Sequence, residues 1–574
     1  MRKFYFLIIA ILVLGIFFRF VNLDKKVYWG DEVYTSLRIA GYTLTEATHE
    51  LFDGKPKSME ELQQYQQPHP DRGINDTIKS LALEDSQHPP LYYIMAYFWE
   101  KWLGSDLAIK RSLPALISLF VFPCLYWLCC ELFNSTPIAW VTVAMVAVSP
   151  FHVLYAQEVR EYSLWTVTIL LSSWLLLRAI RLNTKFSLVI YAATLPLLLY
   201  TYLFSVLIVI GQGIYVFANE GWQWTKTRTA FLLASGFGLI TFTPWLFIVA
   251  NSLSTIQSTT SNFQEKVTLP SLFQMWGFNL SRAFIDLDSQ GRIVEFGNPI
   301  ADIIRLILVG TLAILVGYSI YFLCRQTPKR VWLFILTLMG VTGLALILPD
   351  LIWGGIRSSV SRYLVPCYLG IQIAVAYTIY SLMSYQEIPP NPPLKRGGKH
   401  SRDPVLPGHE NVEAQPLMEG GSTGRITSEK RRQLWRFIAL VLISGGVISC
   451  AISSQAESWW SKYGSYYNPQ VAGIINQHQR PLVISSGYVP RVLSLGYLLN
   501  PKARIQFVAQ ENLSQIPDGF SDVFLYRPSE KLKSRHWKQG NYKIETVYQS
   551  PPVFDYLEPI SRSSEIWLWK IEKR

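Results

Sequence analysis

The sequence predicts a polytopic α-helical membrane protein with a small C-terminal α/β domain outside the membrane. Half of its 574 residues are hydrophobic and only 16% are charged, whereas a soluble protein carries roughly 25% charged residues. The apolar residues are gathered into runs close to the ~20 residues that cross ~30 Å of hydrocarbon. Basic residues recur in alternate loops between these runs, as the positive-inside rule describes.

Eleven apolar runs predict transmembrane helices. The predicted spans are residues 3–19, 112–131, 138–154, 163–180, 187–200, 203–218, 230–250, 301–323, 331–349, 363–383 and 435–454. Arg19-Phe20-Val21-Asn22 follows the first run where a signal peptide would have small residues, so we expect an uncleaved first helix. All six cysteines lie within or beside apolar runs without zinc-site spacing, which predicts core residues rather than disulfides or a structural metal.

The basic loops orient the predicted bundle. With the N-terminus inside, the loops near residues 178–185, 226–228 and 325–330 are cytoplasmic. The apolar stretch Pro89–Gly104 is short, begins with two prolines and contains Glu100 and Lys101. If it crossed the membrane, every later basic loop would face outward, so we predict an interfacial helix on the outer leaflet. The net charge of +12 lies mostly in these loops, where it reports topology. We expect membrane lipids as partners and no nucleic acid.

Four segments follow from this topology. Residues 1–383 form a transmembrane module with a long first outer loop at 20–111. Residues 384–434 begin with Pro-Pro-Asn-Pro-Pro and lack apolar residues for a core, so we predict a disordered cytoplasmic insert. The last span is 435–454. Residues 455–574 alternate predicted strands (481–486, 505–509, 522–526 and 566–571) with polar stretches, which indicates an extracytoplasmic α/β domain.

Asp31 and Glu32 are adjacent carboxylates in the first outer loop. They lie among aromatic residues, since Tyr28 and Trp29 precede them and Tyr34 follows. A carboxylate among aromatics is partly desolvated, which raises its pKa and suits it to general-base chemistry. The alternative is a solvated surface pair.

Further polar residues gather at the predicted outer membrane face. His88 precedes the two prolines of the interfacial helix, and its alternative role is a capping or surface residue. Glu158, Arg160 and Glu161 lie between the third and fourth spans. Charges there must face water, a cavity or one another.

Arginines recur at the same face. They are Arg19, Arg111, Arg357 and Arg362, the last followed by Tyr363. Several arginines near carboxylates could clamp a lipid-linked phosphate. The alternative is that they are snorkelling anchors for anionic headgroups.

Taken in order, these motifs resemble a known superfamily. The motifs are Arg19 through Asp31-Glu32, His88-Pro89-Pro90-Leu91, Arg111-Ser112-Leu113-Pro114-Ala115 and Tyr155-Ala156-Gln157-Glu158-Val159-Arg160. They resemble the N-terminal half of the GT-C glycosyltransferases over about residues 1–250. The nearest groups are the family-39 protein mannosyltransferases, the lipid A aminoarabinose transferases and the RgtA/B/C/D-like galacturonosyltransferases.

The resemblance implies a function. It predicts a membrane glycosyltransferase that moves a sugar, with inversion, from a polyprenyl-phosphate donor to an extracytoplasmic lipid, glycan or protein. The expected location is a bacterial plasma (inner) membrane, with the active site on the extracytoplasmic face and residues 1–383 as the catalytic module. The alternatives are a lipid-linked sugar flippase, which should carry ionisable groups near the bilayer midplane, and a non-catalytic scaffold.

The resemblance also implies roles for individual residues. Asp31 matches the family's catalytic base, with Glu32 beside it, and Arg111 is the best match for a carrier-phosphate ligand. The full set of predicted substrate-binding residues is Arg19, His88, Arg111, Glu158, Arg160, Glu161, Arg357, Arg362 and Tyr363. Glu158 and Glu161 stand where the mannosyltransferases have an aspartate, which leaves a divalent metal possible. The large soluble insert of those enzymes is absent, which argues against protein O-mannosylation.

Overall fold

The computed structural model describes residues 2–220, 224–264, 266–286, 299–384, 422–509, 516–529, 532, 542–550 and 566–573. The helices are α1 (Arg2–Phe20), α2 (Gly30–Ile39), α3 (Leu44–Leu51), α4 (Met59–Gln63), α5 (Ile74–Glu84), α6 (Leu91–Leu103), α7 (Leu107–Leu119), α8 (Val121–Phe133), α9 (Thr136–Ala147), α10 (Pro150–Ala156), α11 (Tyr162–Leu182), α12 (Lys185–Leu199), α13 (Ser205–Glu220), α14 (Lys226–Asn251), α15 (Leu253–Thr259), α16 (Leu269–Arg282), α17 (Pro299–Gln326), α18 (Lys329–Ile352), α19 (Val365–Ser384), α20 (Ser422–Gln455), α21 (Asn468–Ile475) and α22 (Val489–Gly496).

Short 3-10 helices occur at Gln64–Gln66, Ser261–Gln264, Arg357–Ser359, Ser361–Leu364 and Trp460–Ser465. The strands are β1 (Pro56–Lys57), β2 (Pro481–Ser485), β3 (Arg504–Phe507), β4 (Asp522–Tyr526), β5 (Tyr542–Gln549) and β6 (Ile566–Lys573).

The long helices form a membrane bundle. Within the described residues, 8 helical segments are long and apolar enough to cross a bilayer. The pair α9 and α10, bent by 62°, can form a further span, and α12 and α13 are shorter apolar helices. All eleven predicted spans coincide with these segments in order, although the number of actual crossings stays a prediction. The chain is an integral membrane protein.

The segment predicted to lie on the membrane is helix α6. It has 13 residues, fewer than the ~20 that a span needs. Its Glu100 side chain is buried and pairs with Lys110 at 2.9 Å. The short helix agrees with the interfacial interpretation, and its depth in the membrane stays a prediction.

One sheet joins the first outer loop to the C-terminal domain. Its strand order is β1-β3-β2-β4-β6-β5, with β2 parallel to β3 and β4 and the other pairings antiparallel. The edge strand β1 comes from the first outer loop and pairs Pro56 with Gln506 of β3. The four predicted strands are present. Edge strand β5 was not predicted, because it is largely solvent-accessible and lacks a distinct apolar run. The two outer segments therefore pack as one layer.

The predicted insert is shorter on its C-terminal side. Residues 385–421 lie outside the described residues, but α20 already begins at Ser422. Residues 422–434, counted in the predicted insert, therefore lie in helix α20, and the disorder of the rest of the insert stays a prediction. Most of the residues at 429–434 are good helix formers and continue without a break into the apolar run.

Candidate active site

At the start of α2, the adjacent carboxylates of Asp31 and Glu32 have different surroundings. Glu32 folds back and its carboxylate accepts the Trp29 backbone N–H at 3.4 Å, as in a capping box. Its side chain is fully buried. Asp31, one position earlier on the helix, keeps 27% of its side chain exposed. Only Asp31 of the pair can meet a substrate.

Arg362 and Arg160 flank Asp31. The Nη2 atom of Arg362 lies 3.3 Å from the Asp31 carboxylate, and its guanidinium lies 5.7 Å from the centre of the Trp29 ring. Arg160 Nη1 donates to the Asp31 backbone carbonyl at 3.5 Å and to the Thr35 hydroxyl at 3.2 Å. Two cations from distant parts of the chain thus meet Asp31, Arg362 at its carboxylate and Arg160 at its backbone carbonyl.

His88 and Glu161 hold Arg160 from the other side. His88 Nδ1 lies 2.7 Å from Glu161 Oε1, and Arg160 Nη2 lies 3.1 Å from His88 Nε2. Because an arginine can only donate, His88 Nε2 accepts and Nδ1 carries the proton that it donates to Glu161. Burial opposes ionisation of Glu161, but the charge of Arg160 and the hydrogen bond from His88 prevail and lower its pKa to about 2. Glu161 is therefore an anion that orients its neighbours.

Tyr363 borders this group on the side of the bundle. Its ring packs edge-on against Phe204 at 5.1 Å and lies 6.4 Å from Tyr202. The structure thus brings together a set that we call the site cluster, and its members are Asp31, His88, Arg160, Glu161, Arg362 and Tyr363.

Arg111 lies outside the site cluster, and all of its hydrogen-bond donors have partners within the protein. It makes a two-pronged pair with Glu32, at 2.8 and 2.7 Å. It also donates to the backbone carbonyls of Leu23, Lys26 and Val27 at 2.8 to 3.0 Å. A guanidinium has five N–H donors, and all five are used in a side chain that is 1% exposed. The structure therefore does not support Arg111 as a phosphate ligand.

Lys462 completes the surroundings of Glu32. This lysine follows the last predicted span, and its ammonium donates to Glu158 at 2.8 Å and to Glu32 at 3.3 Å. Ser461 also donates to Glu158, at 3.1 Å. We call Glu32, Arg111, Glu158 and Lys462 the buried charge cluster. Its two anions and two cations balance inside a fully buried space.

The buried charge cluster corrects two predictions. Burial raises the pKa of Glu32, but Arg111 and Lys462 outweigh it and bring the value to about 2. For Glu158, burial wins and the pKa is raised in spite of Lys462. Both side chains are fully buried, so neither the catalytic role of Glu32 nor the substrate contact of Glu158 is supported. Lys462 was missed, and its only sequence signal is a lone lysine within the aromatic stretch that follows the last span.

Arg19 and Arg357 have structural partners elsewhere. Arg19 is 1% exposed and donates to the carbonyls of Gly15 and Ala147 at 2.8 and 2.6 Å. Ala147 ends α9, where the bend into α10 leaves carbonyls without helical partners. Arg357 pairs with Asp350 at 3.0 Å. The structure thus gives both arginines partners within the protein, and their substrate contacts stay predictions.

A metal site was left open by the sequence. Among the residues that the structure describes, no group of three or more histidine, cysteine, aspartate and glutamate side chains is placed to hold a metal ion. The described side chains therefore do not fit the divalent ion, and the arginines of the site cluster are the groups placed to meet anionic charge.

Comparison with known proteins agrees with the family resemblance predicted from the sequence motifs. Residues 87–248 match the family model of dolichyl-phosphate-mannose-protein mannosyltransferases, a range that contains His88, Arg160 and Glu161. No curated protein matches the sequence.

Two solved structures are similar in fold. ArnT from Cupriavidus metallidurans bound to undecaprenyl phosphate aligns with a TM-score of 0.50 at 12% identity, over 99% of this chain and 98% of that one. The Archaeoglobus fulgidus oligosaccharyltransferase aligns with a TM-score of 0.44 at 10% identity, over 88% of this chain and 64% of that one. The predicted GT-C-like fold is confirmed by the likeness to ArnT, and the family match covers residues 87–248.

Proposed function

We propose that this enzyme transfers a sugar from a polyprenyl-phosphate donor to an acceptor hydroxyl on the extracytoplasmic face of a bacterial plasma membrane. The observation that supports this proposal most directly is the pair of Asp31 and Arg362, in which an accessible carboxylate lies 3.3 Å from a guanidinium. The likeness to a protein bound to undecaprenyl phosphate supports this donor class. Residues 1–383 serve as the catalytic module, and the C-terminal segment contributes Lys462 to its interior.

The proposed reaction is a single displacement with inversion. The acceptor oxygen attacks the anomeric carbon while Asp31 takes the hydroxyl proton. The bond from the anomeric carbon to the phosphate oxygen breaks, and its electron pair leaves with the polyprenyl phosphate. Arg362 and Arg160 stabilise the negative charge that develops on the phosphate. Phosphate is already a good leaving group. The reaction therefore does not need a general acid to protonate the leaving oxygen.

Arg362 is the best placed phosphate ligand. Among the described residues it forms one ion pair, with Asp31, in contrast to the five hydrogen bonds of Arg111. A donor phosphate attracts the guanidinium more strongly than one carboxylate does, because it offers more acceptor oxygens. As Arg362 turns to the phosphate, the Asp31 oxygen is released from the ion pair and becomes free to accept the acceptor proton. Donor binding therefore prepares the base.

A transfer assay tests the proposal. Purified enzyme in liposomes is given a radiolabelled polyprenyl-phosphate sugar together with membrane extract as the acceptor source. We expect labelled product from the natural sequence and its loss in Asp31→Asn, and NMR of the product reports the anomeric configuration. Movement of the donor between leaflets without any transfer would contradict the enzyme and favour a flippase.

A further inference from the structure

Two tyrosines from different parts of the chain meet beside Asp31. Tyr34 lies three residues after Asp31 on α2, so the two share one helix face. Tyr488 is the residue before α22 of the C-terminal domain. Their ring centres are 5.9 Å apart with planes inclined by 49°. Packing of α2 against α22 holds the pair in place.

Tyr488 is unusual among the aromatic residues of its domain. It is 43% exposed, whereas Tyr467 and Tyr526 are 6% and 0% exposed. A single exposed ring is ordinary on a protein surface. This ring, however, lies near the accessible carboxylate of Asp31. It also packs against a second, half-buried ring, that of Tyr34.

The Tyr488 hydroxyl lies within the electrostatic influence of Asp31. Burial raises the pKa of the Tyr488 phenol, and the negative charge of Asp31 raises it further, against an opposing effect of Arg491. Tyr488 thus keeps 43% of its surface exposed while its hydroxyl lies in the field of Asp31. On the other side, the Arg38 guanidinium lies 5.7 Å from the centre of the Tyr34 ring.

We propose that Tyr34 and Tyr488 form an acceptor subsite that stacks a sugar ring next to Asp31. An aromatic ring offers a flat apolar face to the C–H face of a sugar, and its hydroxyl can bond a neighbouring sugar hydroxyl. The subsite predicts that the acceptor is a glycan or glycolipid, and not a simple lipid alcohol or a peptide. This inference rests on the proposed sugar transfer and names its acceptor class.

The test compares variants of the full-length enzyme in liposomes. The acceptor probe is the glycolipid and glycan fraction extracted from source membranes, and the donor is a radiolabelled polyprenyl-phosphate sugar. For Tyr488→Ala we expect an increase of about fivefold to tenfold in the acceptor KM, with kcat and the donor KM within about twofold. Tyr488→Phe should keep an acceptor KM near the original because it keeps the ring. Tyr321→Ala, which removes a 59% exposed tyrosine on α17, is the matched control.

Periodate treatment of the acceptor fraction tests the acceptor class, since it cleaves sugar rings at vicinal diols. We expect the treated fraction to accept little label. An unchanged acceptor KM in Tyr488→Ala, or full transfer to the periodate-treated fraction, would overturn the subsite while the Asp31-dependent transfer stands. If the natural sequence transfers no sugar to any fraction, the proposed function itself fails, and the subsite fails with it.

Discussion

Lys462 donates a hydrogen bond of 2.8 Å to Glu158, and both side chains are buried to within 1%. Their positions are 304 residues apart in the chain. The same ammonium reaches Glu32, which accepts from Arg111 on its other side. The segment after the last predicted span is therefore part of the interior formed with residues of the N-terminal half, not a cover that merely rests on it. The predictions below follow from this arrangement and from the site cluster.

Lys462→Met should destabilise the enzyme strongly. The substitution keeps the apolar stem but leaves Glu158 and Glu32 with one cation for two buried anions, which costs about 3–5 kcal/mol of unfolding free energy. The midpoint of thermal unfolding in detergent measures the effect. Lys570→Met is the control, because Lys570 pairs with Asp522 at the surface, 28% exposed, where a pair contributes roughly 0–1 kcal/mol. Equal midpoints for both variants would contradict the role of Lys462, and adding Glu158→Gln should restore part of the loss.

Arg111→Met should act on stability and not on donor affinity. All five N–H groups of Arg111 have protein acceptors, so its loss leaves Glu32 and three carbonyls short of donors. We expect a loss of about 3–5 kcal/mol with an unchanged Kd for undecaprenyl phosphate in the folded fraction. Arg181→Met removes an exposed pair with Glu131 and should change little. A higher Kd for undecaprenyl phosphate with normal stability would instead indicate that Arg111 binds the phosphate.

Arg362→Met should weaken donor binding. If Arg362 contacts the donor phosphate, its loss costs about 2 kcal/mol of binding free energy, which is roughly a 30-fold higher Kd. Titration with undecaprenyl phosphate measures it. The control is Arg480→Met, which removes an exposed arginine of the outer domain. An unchanged Kd would move the phosphate contact to Arg160.

Asp31→Asn should slow transfer by at least ~10² while leaving donor binding and unfolding nearly unchanged. Asparagine keeps the size and an accepting oxygen but cannot take the acceptor proton. Single-turnover rates at saturating donor give the chemical step directly. Asp24→Asn, an exposed carboxylate in the same outer loop, is the matched control. Full turnover in Asp31→Asn would remove the base assignment.

The stability of the outer face should fall in acid. In the folded protein the pKa of Glu32 and that of Glu161 are about 2, below the ordinary value of 4.5. Above pH 4.5 both groups are ionised in folded and unfolded chains, and their contribution is complete. As pH falls from 4.5 towards 2, the unfolded carboxylates bind protons first and this stability is lost.

Thermal midpoints between pH 3 and 6 measure this dependence. Glu161→Gln should flatten it, whereas Asp71→Asn, whose side chain is 89% exposed, should not. An unaltered slope in Glu161→Gln would show that the charge of Glu161 is not stabilised by Arg160 and His88.

The sequence by itself determined the membrane bundle and most of the site cluster. Apolar runs of spanning length and the sign of loop charges are local properties, because the bilayer supplies the same surroundings for every span. The motifs that contain Asp31, His88, Arg160, Glu161 and Arg362 lie at loops and helix ends on one face. Topology alone is enough to bring such positions near one another.

Only the tertiary structure decided which charges face the substrate and which face each other. Asp31 and Glu32 look equivalent in the chain, but the capping geometry of α2 buries one and exposes the other. The sequence predicts Arg111 as the phosphate ligand, whereas in the structure all five of its N–H groups donate to protein acceptors. Lys462 and Tyr488 come from the C-terminal region, and no local pattern marks them. The partner of a buried charge is chosen by long-range packing, since a buried ion is tolerated only where a counter-charge and hydrogen bonds meet it.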